Sequence, residues 1–208
     1  MTQRRTIVIS TTNRGKAAEF ADLLPFDVEL VTIADLGIIP AEETGTTFEE
    51  NATIKALSAA RASGLVTIAD DSGLCVDALD GEPGIHSARY AGSGATDADN
   101  RRKLLTALAT TPDNARSAHF RAAVVVAYDN NVIATGEGRT FGSITREERG
   151  EHGFGYDPVF LLPDGRTMAE LPPMMKNRIS HRAKATQSII PALADWLDRH
   201  DPADVRSL

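Results

Sequence analysis

Cysteine is nearly absent from this chain of 208 residues, and basic residues are outnumbered by acidic ones. Cys75 is the single cysteine, which excludes an intrachain disulfide and a zinc site built from cysteines. The 22 Lys and Arg residues stand against 29 Asp and Glu residues, for a formal net charge of −7. Proteins that bind polymeric nucleic acid usually carry a basic excess, so we expect no such partner. A small anionic ligand, which needs only a local basic cluster, is not excluded.

Long apolar runs are also missing. No stretch approaches the roughly 20 apolar residues that span a bilayer, so we expect no membrane partner. The apolar run at residues 6–9 is too short for a secretory signal, and we expect a cytoplasmic protein. We find no internal repeat and no low-complexity linker. We therefore expect one domain over residues 1–208, with a frayed tail at 200–208.

Alternating strand and helix patterns predict an α/β fold with a mixed sheet. Apolar runs at 6–10, 28–33 and 65–69 are typical of buried strands, and a helical pattern follows residue 16. Thr47 and Glu50 form a capping box for a helix that Gly64 ends. Runs at 118–128 and 132–136 have no helix between them, so this pair is antiparallel.

Two adjacent acids, Asp70 and Asp71, follow the apolar run at 65–69 and precede Ser72-Gly73. We expect them at a strand end, where α/β proteins place ligand sites. Neighbouring buried acids repel, and a cation such as Mg²⁺ is the usual remedy. In a strand they point to opposite sides, so only one need face a ligand. Taken alone, a solvated strand-to-turn boundary explains this stretch slightly better.

Two further stretches could contact a nucleotide. A polar loop with Gly15 and Lys16 lies between the first strand and helix, which favours either a phosphate cradle or an ordinary helix cap by Thr or Asn. It is not a Walker A loop. In residues 150–158 three glycines alternate with Phe154 and Tyr156, whose rings could stack on a base or fill the core. Residues 176–184 form the one dense basic cluster, which in most proteins is a solvated face.

Together these stretches resemble the inosine triphosphate pyrophosphatase family, in order from about residue 6 to about residue 195. The matching motifs are Thr11-Thr12-Asn13-Arg14-Gly15-Lys16, Glu42-Glu43-Thr44-Gly45, Thr47-Phe48-Glu49-Glu50-Asn51-Ala52, Ala69-Asp70-Asp71-Ser72-Gly73-Leu74 and Gly153-Phe154-Gly155-Tyr156-Asp157-Pro158. Ser87-Ala88-Arg89-Tyr90 and Ile179-Ser180-His181-Arg182 also fit. Thr12 replaces a glycine that is usual in the family's first loop.

The resemblance implies an elongated mixed α/β fold, with two lobes around a central substrate cleft, and commonly a homodimer. It implies Mg²⁺-dependent hydrolysis of non-canonical purine nucleoside triphosphates (ITP, dITP and XTP) to the monophosphate and pyrophosphate. Asp71 matches the proton acceptor, and Glu42, with Asp70 or Asp71, matches the magnesium ligands. Substrate contacts are expected from Thr11, Thr12, Asn13, Arg14, Gly15, Lys16, Lys55 and Ser72, and base contacts from Phe154, Gly155, Tyr156, Asp157, Lys176, His181 and Arg182.

Three alternatives remain open at this point. A related Maf-like pyrophosphatase would prefer other nucleotides, such as dTTP. A regulator could bind nucleotides without turnover, although a repelling pair of acids has little use in a mere binder. A metal-dependent phosphatase would release orthophosphate instead of pyrophosphate.

Overall fold

A computed structural model describes residues 4–200 and shows one six-stranded sheet with flanking helices, in the strand order β2-β1-β3-β4-β5-β6. The strands are β1 (Arg5–Ile9), β2 (Val28–Thr32), β3 (Thr67–Val76), β4 (Ser117–Tyr128), β5 (Asn131–Ile144) and β6 (Phe160–Leu161). The helices are α1 (Arg14–Leu23), α2 (Phe48–Ser63), α3 (Asp97–Ala107), α4 (Pro173–Ile179) and α5 (His181–Arg199). The tail expected over residues 200–208 lies outside the described residues, apart from His200.

The sheet is mixed, as the sequence predicts. Strand β1 is parallel to both β2 and β3, with Ile7 opposite Leu30 and Ile9 opposite Ile68. Strands β5 and β6 are antiparallel. Only two residues join β4 to β5, and so short a connection requires an antiparallel hairpin. Strand β5 extends well beyond the predicted run at 132–136.

The prediction that the two acids end a strand is wrong. Strand β3 continues through Asp70 and Asp71 to Val76, and residues 67–71 are all buried. Two acids followed by Ser-Gly favour a turn in the sequence, because the sequence does not show the cations that pair with the acids in the fold. Buried carboxylates that are paired with cations can remain inside a sheet.

The residues form two compact units, each with its own hydrophobic core. Among the described residues, unit 1 comprises 4–71, 122–138 and 182–200, and unit 2 comprises 72–121 and 139–181. The core of unit 1 includes Ile7, Phe20, Ile68, Val124 and Ile189. The core of unit 2 includes Leu74, Leu104, Phe120, Phe160 and Met168. The single domain of two lobes that the sequence resemblance implies remains a prediction.

Local capping explains where the helix α2 begins and ends. The Thr47 side chain accepts from the Glu50 N–H, and the Glu50 side chain accepts from the Thr47 N–H. Gly64 ends the helix with φ 65°, a backbone conformation that costs glycine little. The capping box at Thr96 and Asp99 starts α3 in the same way.

Among residues 4–200, no helix has both the length and the apolar character to cross a membrane.

Candidate functional site

Asp70 is the centre of a buried ion network in unit 1. Its Oδ2 accepts hydrogen bonds from Nε and Nη2 of Arg182 at 3.1 and 2.8 Å, and both side chains are 1% exposed. Lys16 Nζ lies 3.1 Å from Oδ1 of Asp70, and Arg182 also contacts Glu19. Burial alone would raise the pKa of Asp70, but the charges of Arg182 and Lys16 hold that pKa well below its ordinary value. Asp70 is therefore a fixed negative charge.

Asp71 has a different set of partners, as expected for the next residue along a strand. Its Oδ1 accepts a hydrogen bond from Lys55 Nζ at 2.8 Å, and its Oδ2 accepts one from Asn51 Nδ2 at 3.4 Å. Burial raises the pKa of the Asp71 carboxyl above its ordinary value, and Lys55 offsets this only in part. A carboxylate of raised pKa is a better proton acceptor than an ordinary one.

The pKa values of the two lysines of the site shift in opposite directions. Burial lowers the pKa of Lys16, and the charge of Asp70 opposes that shift without cancelling it. Burial also acts to lower the pKa of Lys55, but the charges of Asp71, Asp70 and Glu43 outweigh it and raise that pKa. Lys55 therefore remains a cation while it is held between carboxylates.

Glu43 contacts Lys55, whereas no hydrogen bond or ion pair among residues 4–200 joins Glu42 to this cluster. Glu43 Oε1 lies 2.9 Å from the same Nζ that binds Asp71. Glu42, the predicted metal ligand, is exposed. The two glutamates are adjacent in the sequence, and the path of the loop decides which carboxylate contacts Lys55.

The Glu43 and Asp71 carboxylates offer a partial set of magnesium ligands. Carboxylate oxygens suit Mg²⁺, which usually binds one or two of them and fills its shell with waters and substrate phosphates. Within residues 4–200, no group of three or more His, Cys, Asp or Glu side chains is arranged to hold a metal. Among these residues Glu43 and Asp71 therefore form no closed cage for a metal, and magnesium binding remains a prediction.

The loop before α1 is a helix cap. Asn13 Oδ1 accepts from the Lys16 N–H at 3.1 Å, and the Asn13 N–H donates to Thr11 Oγ1 at 3.1 Å. Thr12 is not among the described non-glycine residues with positive φ, which are Asp80 and Asp129. The threonine therefore replaces the family's glycine without left-handed strain. Phosphate binding by this turn, with Arg14 and Gly15 in the first turn of α1, remains a prediction.

A second set of predicted residues lies together in unit 2. The buried Asp157 carboxylate accepts from the Phe154 N–H at 2.9 Å and from Lys176 Nζ at 2.6 Å. The same ammonium lies 4.6 Å from the centre of the Phe154 ring, within the range of a cation–π interaction. Asp157 thus fixes both the backbone and the charge beside this half-buried ring.

Other predicted residues of unit 2 are also well anchored. The Gly155 N–H donates to Asp97 at 2.7 Å, and the Tyr156 hydroxyl donates to the Ser87 carbonyl at 2.9 Å. Burial raises the pKa of Tyr156 far above its ordinary value. The His181 ring stacks on Phe120 at 4.8 Å, and Ser72 is half-buried in β3.

Three residues of the unit 1 cluster were not predicted as site residues: Glu19, Glu43 and Asn51. Helical spacing offers a signal for two of them. Glu19 lies three residues after Lys16 in α1, and Asn51 lies four before Lys55 in α2, so each pair shares a helix face. Most such polar pairs are solvated, and spacing alone could not show that these are not.

The comparisons with known proteins agree with the motifs. The model of the Ham1 family matches residues 7–192. A protein from Methylococcus capsulatus named dITP/XTP pyrophosphatase is 52% identical over 188 residues, which cover 88% of this chain and 92% of that protein. A Vibrio cholerae protein of the same name is 47% identical over 195 residues, which cover 92% and 98% of the two chains.

A solved structure supports the same relationship. The HAM1 protein from Coxiella burnetii superimposes with a TM-score of 0.82 at 42% sequence identity, over 92% of this chain and 99% of that one. Both the mixed α/β fold and the resemblance inferred from the motifs are thus confirmed.

Proposed function

The chain belongs to the Ham1 family, and we propose that it hydrolyses dITP, XTP and ITP to the nucleoside monophosphate and pyrophosphate. The observation that carries this proposal is the buried Asp71, whose pKa is raised and whose carboxylate is held by Lys55. This arrangement lies in a chain that is 47–52% identical to proteins named dITP/XTP pyrophosphatase.

In this proposal Asp71 accepts a proton from the water that attacks phosphorus. Lys55 holds the carboxylate in place at 2.8 Å and keeps a positive charge beside the phosphates. Lys16 and the positive end of α1 attract the triphosphate, because unpaired N–H groups and the helix dipole favour anions there. Asp70, neutralised by Arg182 and Lys16, fixes the position of Lys16.

We propose that the reaction requires Mg²⁺, held by Asp71 and Glu43. Glu43 takes the place of Glu42 in this assignment because its carboxylate shares Lys55 with Asp71. When bound, the ion would offset negative charge on the phosphates as pyrophosphate leaves. The base contacts expected from the Phe154 to Asp157 loop, Lys176, His181 and Arg182 remain predictions.

One product assay tests the function. The purified chain is incubated with dITP, XTP, ITP, ATP, GTP and dTTP, with Mg²⁺ or with EDTA, and pyrophosphate and orthophosphate are measured separately. We expect pyrophosphate from the first three nucleotides, little turnover of ATP, and none in EDTA. Orthophosphate as the first product would indicate a phosphatase, a preference for dTTP a Maf-like enzyme, and binding without turnover a regulator.

The homodimer and the cytoplasmic location are separate proposals. Light scattering after gel filtration and fractionation of the source cells would test them.

A further inference from the structure

Asn51 makes two hydrogen bonds of opposite polarity in the first turn of α2. Its side chain is buried, at 0% exposure. Oδ1 accepts from the Gly45 N–H at 2.8 Å, and Nδ2 donates to Asp71 Oδ2 at 3.4 Å. A backbone N–H can only donate, so the oxygen of the amide must face Gly45 and the nitrogen must face Asp71. The orientation of this amide is therefore fixed by its surroundings.

The loop before α2 packs against Asn51 without spare room. A Cβ added at Gly45 would lie 2.8 Å from Asn51 Oδ1 and 2.6 Å from the Glu50 Cβ. The backbone comes this close only because residue 45 has no side chain. Glu43, which shares Lys55 with Asp71, lies two residues earlier. The Asn51 amide thus links the loop that carries Glu43 to the strand that carries Asp71.

The two oxygens of Asp71 are held from two directions. Lys55 binds Oδ1 through a long, flexible side chain, whereas Asn51 contacts Oδ2 from a short side chain on a rigid helix. One contact fixes the position of a carboxylate oxygen, and a second fixes the plane of the carboxylate. At 3.4 Å the Asn51 contact is long for a hydrogen bond, so this contact by itself adds little binding energy.

We propose that Asn51 is a positioning residue, which sets the plane of the Asp71 carboxylate and acts on turnover through Asp71. The inference rests on the proposed function. In this role Asn51 supports catalysis without contacting the reacting atoms.

Asn100 provides a matched control in unit 2. It is also buried, at 2% exposure. Its Oδ1 accepts from the Ala91 N–H at 2.8 Å, and its Nδ2 donates to the Ala88 carbonyl at 3.2 Å. Both asparagines thus accept from a backbone N–H, but only Asn51 donates to a carboxylate. An Asn→Asp change at either site keeps the shape and replaces the donor with an acceptor.

The test measures kcat and KM for dITP in Asn51→Asp, Asn51→Ala and Asn100→Asp, corrected for the folded fraction from circular dichroism. We expect kcat of both Asn51 variants to fall on the order of 10-fold to 100-fold, as misplaced catalytic groups typically cost, with KM nearly unchanged. Asn100→Asp should retain kcat even if its melting temperature falls. Equal kcat losses in Asn51→Asp and Asn100→Asp would assign Asn51 to the fold alone.

A double-mutant cycle with Asp71→Asn tests whether Asn51 acts through Asp71. That change removes the proton acceptor, with an expected loss on the order of 10²-fold in kcat. If Asn51 acts through Asp71, then Asn51→Ala should cost little more in this background. The same fractional loss in both backgrounds would overturn the proposal. Wild-type release of pyrophosphate from dITP tests the proposed function separately, since the cycle is read only as ratios between active variants.

Discussion

Replacing Arg182 with Met should destabilise the protein strongly, and the same change at Arg166 should not. Both arginines donate from Nε and Nη2 to a single aspartate oxygen, Arg182 at 3.1 and 2.8 Å from Asp70 and Arg166 at 3.1 and 2.6 Å from Asp164. The difference is burial. The Arg182 pair is 1% and 1% exposed, whereas the Arg166 pair is 45% and 49% exposed. Methionine keeps most of the apolar stem, so the change removes mainly the guanidinium.

The magnitude of the destabilisation in Arg182→Met follows from the buried charge that loses its partner. Removing one partner of a buried ion pair costs about 3–5 kcal/mol, because the other charge stays buried without compensation. Lys16 remains 3.1 Å from Asp70, which reduces the cost, whereas Glu19 also loses its contact with Arg182, so we expect at least the lower end, about 3 kcal/mol. For a chain of this size that is a fall in melting temperature of roughly 6–12 °C. Exposed ion pairs contribute little, so Arg166→Met should melt near the wild type.

Thermal melting, monitored by circular dichroism, and a separate urea titration provide the measurements. The double variant Arg182→Met with Asp70→Asn should recover part of the loss, since the uncompensated charge is then gone. A melting temperature for Arg182→Met that matches Arg166→Met would refute the argument that Asp70 depends on Arg182.

Three further predictions use matched variants or a pH series. Glu43→Gln should raise the Mg²⁺ concentration needed for half-maximal activity, and Glu42→Gln should leave it unchanged; the reverse order would restore Glu42 as the ligand. Gly153→Ala should lower the melting temperature more than Gly155→Ala. Both glycines have positive φ (77° and 61°), but only a Cβ at residue 153 would meet the Asp157 carboxylate, at 2.1 Å. Equal effects would show that the loop accommodates the added atom. Hydrogen bonds from the Thr96 side chain and backbone, and from Arg102, lower the pKa of Asp99 to about 2. A carboxyl whose pKa is lowered in the folded state stabilises the fold at pH values above its ordinary pKa, and this stabilisation is lost as the pH falls through the lowered pKa. The difference in melting temperature between wild type and Asp99→Asn should therefore shrink as the pH falls from about 4 to about 2, and a constant difference would contradict the assignment.

The sequence by itself determined the local structure of this protein. Thr47, Glu50 and Gly64 fix the ends of α2, because a capping box and a left-handed glycine depend on residues three or four positions apart. The mixed α/β fold and the family were predictable for a related reason. Strand runs, helix periods and motif spacings are all properties of the linear sequence.

Only the tertiary structure decided how the acids are used. Asp70 pairs with Arg182, 112 residues away, and Arg182 also reaches Glu19, 163 residues away. No local pattern encodes such partners, and without them Asp70 and Asp71 look like the end of a strand. The contact of Glu43, rather than Glu42, with Lys55 likewise depends on the path of a loop, which packs against Asn51. The energy of a buried charge is set by the groups around it in space, and those groups come together only when the chain has folded.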